Sequence, residues 1–225
     1  MALPLRQAAT RHEAFAALKR RLTDCGLAAP RIAVEAAEPT GLPAVDRLLG
    51  GGFPRGTLVA LEGSAGRWSL AARVAAMVTR RAMAAIIDDG GLYPPGLADA
   101  GVRLDRVLIV PAATALQAAR AADVLLRSRA CRLVLMSAPE LRPAVWSRLA
   151  GLAHRTGMLL LAIADRAAPA LTVAAGMRVR CSREQLVVEG TRGIWCTFDG
   201  YGVRAELHKA KSSVPGGAVS VAALH

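Results

Sequence analysis

Thr57-Leu58-Val59-Ala60-Leu61-Glu62-Gly63-Ser64-Ala65-Gly66-Arg67-Trp68-Ser69 joins an apolar run to an alanine-rich helical segment through a turn with two glycines. The run at 58–61 has the length of a buried strand, and 69–81 the length of a helix. Outward from this unit the pattern repeats, with apolar runs at 84–87, 107–110, 133–136 and 159–163 and helical segments at 115–129 and 144–155. Strands alternating with helices form a parallel sheet, and right-handed crossovers place the helices on its faces. The predicted fold class is therefore α/β: a doubly wound, mostly parallel sheet with flanking helices. Further on, 178–180, 185–188 and 194–197, separated by Ser182, Glu184 and Gly190, predict short antiparallel strands that extend one edge.

Upstream, Thr10 and Glu13 form a capping box, Phe15, Leu18 and Leu22 follow at helical spacing, and Gly26 supplies a stop. This predicts an amphipathic helix over 10–25. Its apolar residues either dock on a partner or pack on the chain's own core. The stretch 27–39, with two prolines, reads as a linker. The expected organisation is an N-terminal helix and linker (1–37), a core (38–200), and a partly flexible C-terminal tail (201–225) containing Pro215, Gly216 and Gly217.

Lysine plus arginine number 29 against 17 acidic residues, and only Lys19, Lys209 and Lys211 are lysines. An arginine-rich surface suits phosphates or acidic partners, and the same composition also arises from GC-rich codon usage. Cys25, Cys131, Cys181 and Cys196 are widely spaced with no CxxC pair, and His12, His154, His208 and His225 lie on separate segments, so reduced thiols and no metal site are expected. Arg6, Arg11, His12 and Glu13 stand where a signal peptide needs an apolar run, and the longest apolar stretch, 158–164, is too short to span a bilayer. A cytoplasmic protein is expected.

The segment Thr40-Gly41-Leu42-Pro43-Ala44-Val45-Asp46-Arg47-Leu48-Leu49-Gly50-Gly51-Gly52-Phe53-Pro54-Arg55-Gly56 resembles the opening of the ATPase core of the RecA recombinase family. Ile86-Ile87-Asp88-Asp89-Gly90-Gly91 and Ala100-Gly101-Val102-Arg103-Leu104-Asp105-Arg106-Val107-Leu108 resemble that family's second strand and the approach to its third. Order and spacing agree over residues 38–185, so the resemblance implies a RecA-like core.

The chemistry departs from that pattern. A phosphate loop reads G-x4-G-K-[ST], because backbone N–H groups wrap the phosphates, the lysine neutralises charge and the hydroxyl holds Mg²⁺. Here Gly63 and Gly66 are two residues too close, Arg67 stands for the lysine and Trp68 for the hydroxyl, with Ser69 one position on. Trp68 reads either as a plug over the vacated phosphate site or as a packing residue. The strand at 133–136 ends in Ser137, which has no charge to hold a hydrated Mg²⁺. Where the family places a water-activating glutamate this chain has Gly90 and Gly91, and Asp89 sits one residue early. A base misplaced by about 1 Å costs roughly 10²-fold. Asp165, at the family's polar sensor position, repels a triphosphate. The expectation is a degenerate nucleotide site with no catalytic residues and no cofactor.

The segments after the fourth and fifth strands, 137–143 and 165–169, are too short to thread a DNA strand, and aromatic residues for base stacking are few. Residues 140–192 hold eight arginines against four acids. Arg142, Arg166, Arg178, Arg180 and Arg183 are the candidate contacts for nonspecific DNA or an acidic partner, if they are not simply a solvated face.

A RecA-like domain of this size, with a degraded nucleotide site and trimmed DNA loops, resembles the ImuA family. That resemblance implies an accessory role in SOS-induced mutagenic repair (translesion synthesis). The implied partners are an ImuB-type polymerase-like protein, RecA itself and an error-prone C-family DNA polymerase. The alternatives are a SulA-like cell-division inhibitor and an active RecA-type DNA-dependent ATPase.

Overall fold

The computed structural model of the chain describes residues 37–189, 197–210 and 217–224. The helix expected at 10–25, with Phe15, Leu18 and Leu22, lies outside them, as do Trp195, Cys25 and Cys196. Strand β1 (Ala37–Glu38) pairs antiparallel with β2 (Phe53–Pro54), and helix α1 (Pro43–Leu49) lies between them in sequence. Asp46 fixes this connection by accepting from the Thr40 N–H at 2.7 Å and its hydroxyl at 2.8 Å.

Eight further strands form one sheet. They are β3 (Leu58–Gly63), β4 (Ala84–Asp88), β5 (Val107–Pro111), β6 (Leu133–Ser137), β7 (Leu159–Ala164), β8 (Met177–Glu189), β9 (Thr197–Ala210) and β10 (Gly217–Leu224), in the order β10-β9-β8-β3-β7-β6-β4-β5. The pairs from β8 through β3, β7, β6 and β4 to β5 are parallel, and β8-β9-β10 is antiparallel. This is the doubly wound, mostly parallel sheet with an antiparallel extension at one edge.

Successive side chains on a strand point to opposite faces, which sorts the core into two layers. Val59 and Leu61 join α1, α2 (Arg67–Thr79) and α3 (Pro94–Asp99); Leu58 and Ala60 join α4 (Ala115–Ser128), α5 (Pro143–Thr156) and α6 (Pro169–Ala174). A strand buried on both faces carries no polar alternation, which is why 58–61, 133–136 and 159–163 read as unbroken apolar runs. The helices start where their sequences allow. Thr114 caps α4 through a reciprocal box with Gln117, while α1, α3, α5 and α6 begin with proline, whose missing N–H is lost at no cost in the first turn. Trp146 is fully buried among α4–α6.

Two expectations are corrected here. Residues 178–180 are not a separate short strand but part of the 13-residue β8, which pairs antiparallel with β9 on one side and parallel with β3 on the other, with Val59 opposite Met177 and Gly63 opposite Cys181. Ser182, half-buried, and Glu184, exposed, lie within this continuous strand, so their polarity does not mark a turn. The expected loose tail, 201–225, supplies most of β9 and all of β10: Val203, Ala205 and Leu207 are buried while Arg204, Glu206 and His208 alternate with them. That period-2 pattern was masked by the Pro-Gly-Gly that follows. No helix among the described residues is long and apolar enough to cross a membrane.

Candidate functional site

In an open α/β sheet, ligands bind at the carboxyl ends of the strands, where connections from adjacent strands leave to opposite faces. Two neighbouring pairs meet that condition. After β3 and β4 the chain crosses to the face of α2 and α3, and after β6 and β7 to the face of α5 and α6. One crevice therefore lies between β3 and β7, and another between β4 and β6.

The β3–β7 crevice is the expected phosphate loop, and it is closed by its own atoms. Only Ser64, Ala65 and Gly66 separate β3 from the first residue of α2. Gly63 has φ +134°, and a Cβ added there would lie 1.7 Å from the Cys181 carbonyl oxygen. Gly66, at φ +76°, sits so close to β9 that its Cβ would fall 2.4 Å from Val203 Cγ2. Both glycines are thus required by close packing onto β8 and β9. Arg67 folds back over the turn: Nη1 donates to the Gly63 carbonyl at 2.6 Å, and Nη2 forms an ion pair with the Asp165 carboxylate. The Gly63 N–H donates to the Asp165 carbonyl at 3.1 Å, fastening β3 to the end of β7. Asp165 is 83% exposed and Arg67 only 20%, so the cation is the sheltered partner.

Trp68 does not plug this loop. It is 38% exposed and lines a cavity whose walls include Ser69, Asp88, Asp89 and Ser137 but none of residues 63–67. What fills the loop is the Arg67 guanidinium on one side and Val203 on the other. Asp89 and Ser137 come together in the β4–β6 crevice, where both line that cavity and a second one beyond it. Asp165 stays with Arg67 in the other crevice. The expected nucleotide residues are therefore divided between two crevices.

Beside the loop is a buried carboxylate that sequence reading passed over. Glu62, 5% exposed, accepts from the Ala167 N–H at 2.9 Å and pairs with Arg180 at 3.2 Å and Arg178 at 3.4 Å. A single acid inside the apolar run of β3 was the available signal. Two of the five candidate contact arginines are thereby engaged in ion pairs within the protein, although Arg180 remains 48% exposed. Arg142, at the start of α5, and Arg166, after β7, are exposed, as is Arg183 on β8.

Cys181 and Cys131 are free, buried thiols. Burial pushes the Cys181 thiol up to about 12, against the opposing pull of the Arg67 charge. An unfolded-chain thiol ionises at about 8.5. The unfolded state then loses a proton that the folded state keeps, so the stabilisation is complete below pH 8.5 and lost as pH rises toward 12. The slope in that window should reach about 1.4 kcal/mol per pH unit for this group. Urea unfolding at pH 8 and pH 10 checks it: Cys181→Ala should flatten the dependence, and an unchanged slope would remove Cys181 as its source.

The comparisons with known proteins bear on the fold and the family. Protein RecA from Prochlorococcus marinus, in strains MIT 9303 and MIT 9313, is 35% identical over 102 residues, which cover 44% of this chain and 27% of each relative. The match thus spans about a quarter of the length of those relatives. The crystal structure of the RadB recombinase superimposes with a TM-score of 0.64 at 18% identity, covering 81% of this chain and 94% of that one. That likeness shows a RecA-like fold. The family model described as the MT3502 N-terminal domain matches residues 46–170, from α1 into α6 and across both crevices. As this is more than half of the 225 residues, the chain belongs to the MT3502 N-terminal domain family.

Proposed function

We propose that this RecA-like chain is a non-catalytic accessory protein of SOS-induced mutagenic DNA repair. It acts by binding an ImuB-type polymerase-like partner, and it contacts RecA and an error-prone C-family polymerase in the same process. The observation that carries the loss of catalysis is the Arg67–Asp165 pair across a phosphate loop two residues short. A loop that engulfs phosphates needs free backbone N–H groups and a cation directed at the ligand. Here the only side-chain cation of the loop is already neutralised by Asp165, Val203 packs against Gly66, and β6 ends in a serine in place of a metal-binding carboxylate. The repair role draws on the RecA relatives and on the ImuA resemblance of the sequence.

Phosphate release from Mg·ATP, with and without single-stranded DNA, tests the catalytic half and should stay at the protein-free blank. Turnover that disappears in Asp89→Ala would establish an active ATPase in its place. Co-purification with an ImuB-type protein tests the partner half, and retention by a tubulin-like division protein would favour the division-inhibitor reading. DNA contact through Arg142, Arg166 and Arg183 should be weak and nonspecific. Its affinity should fall steeply as salt rises, because each phosphate contact releases condensed counterions; an isotherm that stays flat between low and high salt removes DNA from the scheme.

A further inference from the structure

The β4–β6 crevice is open where the β3–β7 crevice is closed, and its chemistry is of the opposite sign to a phosphate site. We propose that it binds an extended peptide segment of a partner protein, whose arginine side chain enters the cavity between α2 and α3. That cavity holds about 450 Å³, in the range of small-ligand pockets, and is walled by Trp68, Asp88, Asp89, Leu92, Tyr93 and Leu97 among others. In a chain of formal net charge +12, the lining contains two aspartates and no lysine, arginine or histidine. A triphosphate is repelled there, and a cation is attracted.

The aromatic residues narrow the class of cation. Trp68 and Tyr93 are both partly exposed, and the Tyr93 ring sits over Gly96, where an added Cβ would lie 3.3 Å from Tyr93 Cδ1. A guanidinium is planar and weakly hydrated; it stacks on aromatic faces and donates to carboxylates in a fork, which an ammonium cannot do. Asp88 has one oxygen engaged, since Oδ1 accepts from the Gly90 and Leu92 N–H groups at 3.1 and 3.0 Å and thereby shapes the wall. Asp89 is exposed at the opening.

The shape of the crevice points to a peptide and not to a free cation. A second cavity of about 230 Å³, lined by Ile87, Ala112, Thr114, Ala118 and Pro139 with others, begins on the far side of Asp89 and Ser137, which line both. The two cavities adjoin at those residues: the first is acidic and aromatic, and the second is otherwise lined by neutral, mostly small side chains. This inference does not require the loss of hydrolysis, which rests chiefly on the Arg67–Asp165 pair in the other crevice, and the two are read by separate assays.

The test titrates the full chain with acetyl-Ala-Ala-Arg-Ala-Ala-Ala-amide by calorimetry and tryptophan fluorescence. Parallel arms use the same peptide with citrulline for arginine, agmatine as a free guanidinium, and ATP. Saturable binding of the arginine peptide is expected, with an emission change lost in Trp68→Phe. Binding should weaken about tenfold or more with citrulline, with agmatine and in Asp89→Asn, roughly the loss of one charge-assisted contact. Citrulline binding as tightly as arginine overturns the guanidinium assignment, agmatine matching the peptide overturns the extended occupant, and no saturation of any arm overturns the site. ATP saturating the same Trp68 signal would return the crevice to nucleotide binding. Asp89 is a surface residue and the citrulline arm leaves the protein untouched, so a misfolded variant cannot imitate a positive result.

Discussion

Gly63→Ala is expected to destabilise the protein by about 4 kcal/mol or more, the range reserved for severe steric or core defects. The alanine Cβ would have to occupy a point 1.7 Å from the Cys181 carbonyl oxygen and 2.9 Å from its nitrogen, and both are main-chain atoms of a strand paired on two sides. A side-chain rotation cannot relieve this, so β3 and β8 must separate where they hydrogen-bond. The backbone at φ +134° adds strain of its own for any residue with a Cβ. Gly90→Ala is the control, at φ +105° with open space around it; it should show only the dihedral term, about 1 kcal/mol. Urea midpoints of the two variants measure the difference, and equal midpoints would mean that the packing of the loop onto β8 is not the reason for the glycine.

Glu62→Ala should cost about 2 kcal/mol, whereas Glu62→Gln should cost about half of that. Removing one member of a fully buried ion pair costs roughly 3–5 kcal/mol, because the other charge remains without compensation. Here water reaches part of both arginines, with Arg180 48% exposed and Arg178 23%, so the penalty is screened. Alanine also removes the acceptor of the Ala167 N–H, leaving a backbone donor unpaired beside the sheet. Glutamine keeps an oxygen for that donor. Chemical denaturation of the three proteins separates the terms, and a glutamine variant as unstable as the alanine one would place the whole effect in the charge.

Much of the fold was legible because hydrophobic burial imprints its period on the chain. The runs at 58–61, 84–87, 133–136 and 159–163 are apolar because those strands are covered on both faces, and all four are central strands of the sheet. Legibility failed where burial is one-sided or helices are short. The alternation Val203-Arg204-Ala205-Glu206-Leu207 went unread beside a Pro-Gly-Gly, and α1 and α3, of seven and six residues, are too short to show helical periodicity. β5 was found by its run at 107–110 although Leu108 and Ile109 are exposed, since it is the outermost strand of the sheet.

For the candidate site the division follows from which quantities are covalent. Loop length and residue identity are properties of the chain itself: the two-residue deficit between Gly63 and Gly66, the arginine and tryptophan after it, and the uncharged end of β6 could all be read before any folding was considered. The pairing of Arg67 with Asp165, the pressure of Val203 on Gly66, the capture of Arg178 and Arg180 by Glu62, and the meeting of Trp68, Tyr93 and Asp89 around one cavity join residues far apart along the chain. Such contacts leave no local period or spacing. They exist only once the sheet has set which strands are neighbours, so they belong to the tertiary structure alone.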